Sequence, residues 1–324
     1  MRGGPFLLAS LAVAALVFLA ARWTNNGYVF FAGYVVLQYV VMSTGWNILG
    51  GYTGYVNFGT AGFFALGAYT TVALEKLVPL PLPVVMLAGG LVSGMLGLAM
   101  GYLTLRLRGA FFSIATLAMA VVAQTFMVNW SFVGGSAGAF SIRPMTTEYF
   151  GIDYIRYLFL LMLGLAVLSV CIARLIERSR LGDGFAAIRD DELAAEASGV
   201  PTLRLKLFAT MLSGALLGMA GAPLPYYVTY LDPPSAFSLA YAVNAIAMPL
   251  IGGTASWPGP VIGAVLIATL QQLATVTISS AVNLLIVGLV LVGFVIAAPH
   301  GIIGWFRLDR RARLRPRKLA AGKP

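Results

Sequence analysis

A chain of 324 residues that is 60% hydrophobic and only 10% charged, with mean hydropathy +0.89, cannot coat a soluble domain. Soluble domains carry about 25% charged residues to face water, so most of this surface is built to face lipid. The net charge of +10 then reads as cytoplasmic positive charge beside anionic headgroups rather than a nucleic-acid footprint; Cys171 is the single cysteine, which excludes an internal disulfide, and the single histidine, His300, has no neighbouring ligand set for a metal.

Apolar runs of about 20 residues predict membrane-spanning helices. About ten are expected, at roughly 5–21, 28–49, 60–77, 82–104, 110–130, 156–176, 207–228, 237–252, 258–277 and 281–299. Trp23–Leu74, Gly109–Ser141, Leu207–Leu231 and Pro233–Phe306 contain no Asp, Glu, Lys or Arg at all. The first run, with Arg2 before it and "LAA" at 19–21, has the form of a signal peptide; a polytopic chain equally keeps such a run as an anchor, and that is the reading favoured here. The eighth run is short and holds Pro249 and Gly252, so a broken or tilted helix is expected there.

Between the second and third runs stands Gly50-Gly51-Tyr52-Thr53-Gly54, a poor helix by any propensity scale. Broken backbone at membrane depth is tolerated only where protein buries it or water reaches it, and such segments often border a transport route. The glycine-broken segment near 50–59 therefore marks a candidate pathway. Polar residues within the spans form the rest of the candidate lining: Gln38, Thr44, Asn47, Tyr52, Asn57, Thr60, Gln124, Asn129 and Asn244. Each could simply be interhelical glue, which is the more common use. Glycines also run in stripes, at 90, 94, 97 and 101, at 214 and 218 with Ala222, and at 259 and 263. In lipid, such stripes let helix backbones approach closely, which predicts a tight helical bundle and names no function.

The charges orient the chain. With ten spans and the N-terminus inside, 17 of the 21 Lys and Arg residues fall on the cytoplasmic side, as the positive-inside tendency requires. Both termini are then cytoplasmic. The long inner loop, 177–206, carries its own helix signals. Asp183 can cap a start, Phe185–Ser198 are good helix formers, Gly199 suits the left-handed position after a helix, and Pro201 stops it. A short charged helix held between two spans is either a docking element for a cytosolic partner or a solvated connector. The tail from 307 to 324 is basic and reads as a disordered strand on anionic lipid. The spans themselves are nearly free of ionisable groups, which ion-coupled carriers usually keep inside the membrane. Energy for uphill transport would have to come from elsewhere.

The stretch "SRLGDGFAAIRDDELAAEASGVPTLRLKLFATMLSGALLGMAGA" (179–222) resembles the coupling-loop region of branched-chain amino-acid ABC importer permeases of the LivM type. "GYTGYVNFGTAGFFALGAYT" (51–70), "LRLRGAFFSIATLA" (105–118), "GGSAGAFSI" (134–142), "IGGTASWPGPVIGA" (251–264) and "APHGIIG" (298–304) agree in order, so the resemblance covers about 28–304. It implies an all-α polytopic permease domain over 1–306, in the bacterial inner membrane. It implies a second homologous permease, two cytosolic ATPase subunits that bind ATP and Mg, and an extracytoplasmic binding protein that delivers leucine, isoleucine or valine. No cofactor and no enzymatic activity are expected in this chain, which has no Walker-type sequence. The family's Glu-Ala-Ala-like segment falls on Glu196-Ala197-Ser198 with Gly199. Gly182, Phe185, Ile188, Arg189, Glu192, Glu196 and Gly199 are the expected ATPase-coupling residues. Thr60 stands where the family often has His, and Ala110 where it often has Asp. The "YVNFG" piece is similar to the sister permease, and related permeases carry urea or short amides. A passive small-solute channel is the rival reading. An intramembrane enzyme would need clustered acids or an activated nucleophile at depth, and the sequence offers none.

Overall fold

The computed structural model describes residues 27–78, 80–144, 153–254 and 256–277, with isolated positions 6, 12, 15–19, 288, 289, 293 and 301–303. Apart from those positions, the expected first span (5–21), the last span (281–299), His300 and the tail (307–324) lie outside the described residues. The described chain is almost entirely helical: α1 (Gly27–Gly50), α2 (Thr60–Leu77), α3 (Leu82–Thr104), α4 (Ala110–Asn129), α5 (Tyr154–Glu177), α6 (Arg180–Asp190), α7 (Glu192–Ala197), α8 (Thr202–Gly221), α9 (Leu224–Val228), α10 (Pro233–Ala236), α11 (Leu239–Gly252) and α12 (Pro258–Thr277). The one described sheet pairs β1 (Ala139–Phe140) antiparallel with β2 (Tyr230–Leu231), Ala139 opposite Leu231.

Among the described residues, seven helical segments are long and apolar enough to cross a membrane: Gly27–Gly50, Leu82–Thr104, Ala110–Asn129, Tyr154–Glu177, Thr202–Val228, Pro233–Gly252 and Pro258–Thr275. The helix α2 has the expected bounds, but its threonines, Glu75 and Lys76 make it less apolar than these seven. It is buried from Thr60 through Tyr69, so it meets other helices where they would meet lipid. The helix α1 is buried without interruption from Gln38 through Leu49 and packs against α5, α8, α11 and α12. That burial and those four neighbours make α1 the centre of this bundle.

The broadest helix–helix contact joins α3 to α8, along the glycine stripes. A methyl on Gly97 would lie 2.9 Å from the Thr210 carbonyl oxygen, and one on Gly90 would lie 2.6 Å from Met219 Cγ. Ser93 on α3 also donates its hydroxyl to the Phe63 carbonyl of α2 at 2.9 Å. Close dispersion contact plus a buried hydrogen bond is the expected adhesive where lipid removes the hydrophobic drive. Gly252, Gly259 and Gly263 do the same for α11 against α12, backbone to backbone.

Three expectations change. The helix expected over 185–198 is two helices, because Asp191 turns extended (φ −159°) and caps a new start, its carboxylate accepting from the Leu193 and Ala194 amides. The first of the two begins at Arg180, ahead of Asp183. The seventh span starts at Thr202 rather than 207, which draws Arg204 and Lys206 into the helix, and it turns at Ala222–Pro223 before α9. In the eighth, the break falls at 237–238, where Ser238 caps α11, while Pro249 is carried inside that helix.

The helix directions divide the connections between two ends of the bundle. One end holds 51–59, 105–109, the 178–201 loop and 253–257. The other holds 78–81, the β1–β2 pair, and 229–238.

Candidate functional site

At the first of these ends, the glycine-broken segment is held by side chains instead of a helix ladder. The Trp46 indole N–H donates to the Asn57 carbonyl at 2.9 Å, and the Thr60 hydroxyl donates to the same oxygen at 3.1 Å. The Asn57 side chain accepts from the Gly59 amide at 2.7 Å. From α4, Ser113 donates to the Val56 carbonyl at 2.8 Å, and Thr116 accepts from the Phe58 amide at 3.1 Å. Irregular backbone is stable here because such partners replace the missing ladder. Gly54 takes φ +79°, and a Cβ there would lie 3.2 Å from Arg189 Cγ. The segment is thus in direct contact with the loop helix α6.

The loop helices sit against the bundle through their apolar faces. Phe185 and Ile188 are fully buried, while Leu181, Leu193, Asp190, Asp191, Glu196 and Gly199 are exposed. Gly182 approaches the Ile176 carbonyl too closely for any side chain. Gly199 closes α7 at φ +84°, where a side chain would be strained. Thr202 donates to Glu196 Oε1 at 2.6 Å, pinning the turn between α7 and α8.

Glu192 is the polar anchor of this element. Lys206 Nζ donates to Glu192 Oε1 at 2.6 Å, Tyr55 donates its hydroxyl to Glu192 Oε2, and Arg108 Nε lies 3.6 Å from that second oxygen. The Lys206 side chain is 4% exposed and that of Glu192 12%. Burial by itself would raise the Glu192 carboxyl, but the hydrogen bonds from Lys206 and Tyr55 and the charges of Lys206 and Arg108 hold it below its ordinary value. Burial, and then the bond to Glu192, pushes the Tyr55 hydroxyl well above its usual range, so it stays a donor.

The expected pathway residues divide between interior and surface. Gln38 is buried on α1 and donates to Tyr34 Oη and to the Ala220 carbonyl, each at 3.1 Å. Asn47 is buried on the same helix, and its side chain makes no hydrogen bond of good geometry; nor do those of Thr44 and, on α8, Ser213. Tyr52 is buried, with its hydroxyl 3.4 Å from the Ala173 carbonyl of α5. Asn57 and Thr60 belong to the broken segment described above. Asn244 is buried between Tyr39 and Gln271, at 3.2 and 3.0 Å. Gln124 is half-buried, and Asn129 is exposed on α4, bonded to its own helix at Thr125. Sequence reasoning did not single out Tyr55, Arg108, Lys206, Tyr39 or Gln271. A lone lysine one turn into an apolar helix was the available signal for Lys206.

The family model described as "Branched-chain amino acid transport system / permease component" matches residues 28–295. The chain belongs to this family. The permease is 27% identical to the high-affinity branched-chain amino acid transport system permease protein LivM of Salmonella typhimurium, over 93% of this chain and 76% of that protein. LivM of Escherichia coli matches at the same identity and coverage. The probable branched-chain amino acid transport permease protein LivH of Methanocaldococcus jannaschii is 26% identical over 80% of this chain and 86% of its own. No solved structure matches the permease.

Proposed function

We propose that this chain is the membrane-spanning permease subunit of an ATP-driven importer for branched-chain amino acids. The observation that carries the proposal is the family match over 28–295, together with LivM relatives aligned over nearly the whole chain. Residues 1–306 form the transmembrane domain, with about ten helices and both termini in the cytoplasm, and 307–324 form a basic tail. The chain resides in the bacterial inner membrane. It pairs with a second homologous permease and receives substrate from an extracytoplasmic binding protein. Two cytosolic ATPase subunits hold ATP and Mg and dock on 177–206. The exposed Leu193, Glu196 and Gly199 supply the contact surface, while Gly182, Phe185, Ile188, Arg189 and Glu192 hold that surface to the bundle.

Transport follows by alternating access. Closure of the ATPase dimer displaces α6 and α7, and the bundle rocks around an apolar route. The amides of Gln38, Asn47, Asn57, Gln124 and Asn244, with Tyr52 and Thr60, pass the substrate's head groups along weak hydrogen bonds; Asn129, on the outer face of α4, stands apart from that route. Weak sites suit this task, since a tight one would slow release.

Reconstituted vesicles test the reading. Labelled leucine accumulates only when this chain is joined by its partners, binding protein and ATP. The pair Glu196→Lys with Gly199→Pro abolishes uptake and ATPase co-purification while membrane insertion persists. Leucine or urea flux through vesicles holding this chain alone would establish a passive channel instead.

A further inference from the structure

We infer that Lys206, acting through Tyr55, is a positioning residue that carries motion of the loop helix α7 into the glycine-broken segment. The inference rests on the docking of ATPase subunits on 177–206 proposed above.

Four pieces of chain meet at the Lys206 ammonium. It donates to Glu192 on α7 at 2.6 Å, to Tyr55 Oη in the broken segment at 3.2 Å, and to the Leu105 carbonyl after α3 at 3.2 Å. An ammonium has three protons, and each has an acceptor here. The Tyr55 hydroxyl accepts from Lys206 and donates to Glu192, which closes a triangle. The ammonium also lies 4.8 Å from the centre of the Tyr55 ring, a cation–π contact.

The triangle has a consequence that packing lacks. Apolar faces such as Phe185 and Ile188 hold a helix against the bundle but allow it to slide. Charge-assisted hydrogen bonds in a desolvated site are directional and strong, so α7 cannot shift without drawing Tyr55 with it. Tyr55 is in turn covalently continuous with Val56–Gly59, whose backbone is bonded to Trp46 of α1 and to Ser113 and Thr116 of α4. One directional route from the loop to the central helix therefore passes through one hydroxyl and one ammonium. Arg189 against Gly54 is a second contact, exposed and without the same directionality.

The test compares Tyr55→Phe and Lys206→Met in the full transporter, reconstituted with its partners and binding protein, with labelled leucine as probe. Both variants are expected to co-purify ATPase subunits at the wild-type ratio. Leucine moved per ATP hydrolysed is expected to fall about tenfold in Lys206→Met, an ordinary size for an allosteric coupling, and by a similar factor in Tyr55→Phe, which removes the hydroxyl that bonds both Lys206 and Glu192. A merely structural fastening would lower thermal stability and leave that ratio unchanged. Wild-type stoichiometry in both variants overturns the inference. Should Lys206→Met fail to reach the membrane, Tyr55→Phe decides by itself, since it removes one hydroxyl and keeps the ion pair. The docking reading fails separately, if Glu196→Lys with Gly199→Pro still binds the ATPase subunits.

Discussion

The Gln271 side-chain amide donates to Asn244 Oδ1 at 3.0 Å, and Asn244 passes the contact on to Tyr39 Oη at 3.2 Å. Three helices, α12, α11 and α1, are thereby joined through buried polar groups. Gln271→Leu removes the donor and leaves the Asn244 oxygen unpaired. Interhelical hydrogen bonds in membranes are worth about 0.6–2 kcal/mol each, so the variant should unfold at lower temperature in detergent by that measure. Asn244→Leu, which removes both contacts, should cost more. A thermal unfolding series on the two single variants and the double variant checks this, and an additive double variant would show that the network does not act as a unit.

The glycine stripe makes a sharper contrast. Gly97→Ala places a methyl against the Thr210 carbonyl, 2.9 Å away on a neighbouring backbone, so one of the two helices must shift. Overpacking of this kind costs about 1–3 kcal/mol. Gly164, on α5, has nothing within 4 Å of its would-be Cβ, and there the same substitution should stabilise the helix by about 0.5–1 kcal/mol. Opposite shifts of the detergent unfolding temperature are expected. Equal shifts would remove close approach as the reason for the stripe.

The Glu192 contact has a defined pH dependence. Its carboxyl is depressed in the folded chain, relative to about 4.3 in an unfolded one. A depressed acid contributes stability that is present above the unfolded value and is lost as pH falls through the folded one. The stability difference between wild type and Glu192→Gln should therefore hold steady across the neutral range. It should shrink only in acid, below the ordinary glutamate range. Unfolding midpoints of both proteins across a pH series measure it. A difference that disappears nearer neutrality would mean that Lys206 and Arg108 do not hold the charge.

Much of the bundle was legible because lipid imposes strong rules on composition. The bounds of α2, α3, α4 and α12 follow apolar runs between Gly, Pro and charged residues, and the stripe at 90, 94, 97 and 101 does lie at the α3–α8 contact. Gly199 at φ +84° is the left-handed position that its place before Pro201 suggested. The break at Asp191 was hidden because the weak helix formers Asp190 and Asp191 sit inside a run that is otherwise rich in strong ones. The competing effect is the capping strength of an aspartate that can bond two amides at once.

The candidate site was less legible, for a geometric reason. Gln38 and Asn129 look alike in sequence, each an amide within an apolar run. One is sealed between α1 and α8, and the other stands on the outer face of α4. Where both faces of a helix are apolar, periodicity carries no record of which face turns inward. Lys206 likewise appears in sequence only as one more positive charge near a membrane boundary.

Composition alone required that this chain live in lipid, since so few charges cannot cover a water-facing surface, and it required close helix contact wherever glycines recur every three or four positions. The rotation of each helix about its own axis was open until the helices met. That rotation put Phe185 and Ile188 inside, left Leu193 outside, and brought an ammonium, a carboxylate and a phenol from distant parts of the chain within hydrogen-bonding distance. Long-range contact sets it, because the pairing of Lys206, Glu192 and Tyr55 is a property of three backbones at once and of none of them singly.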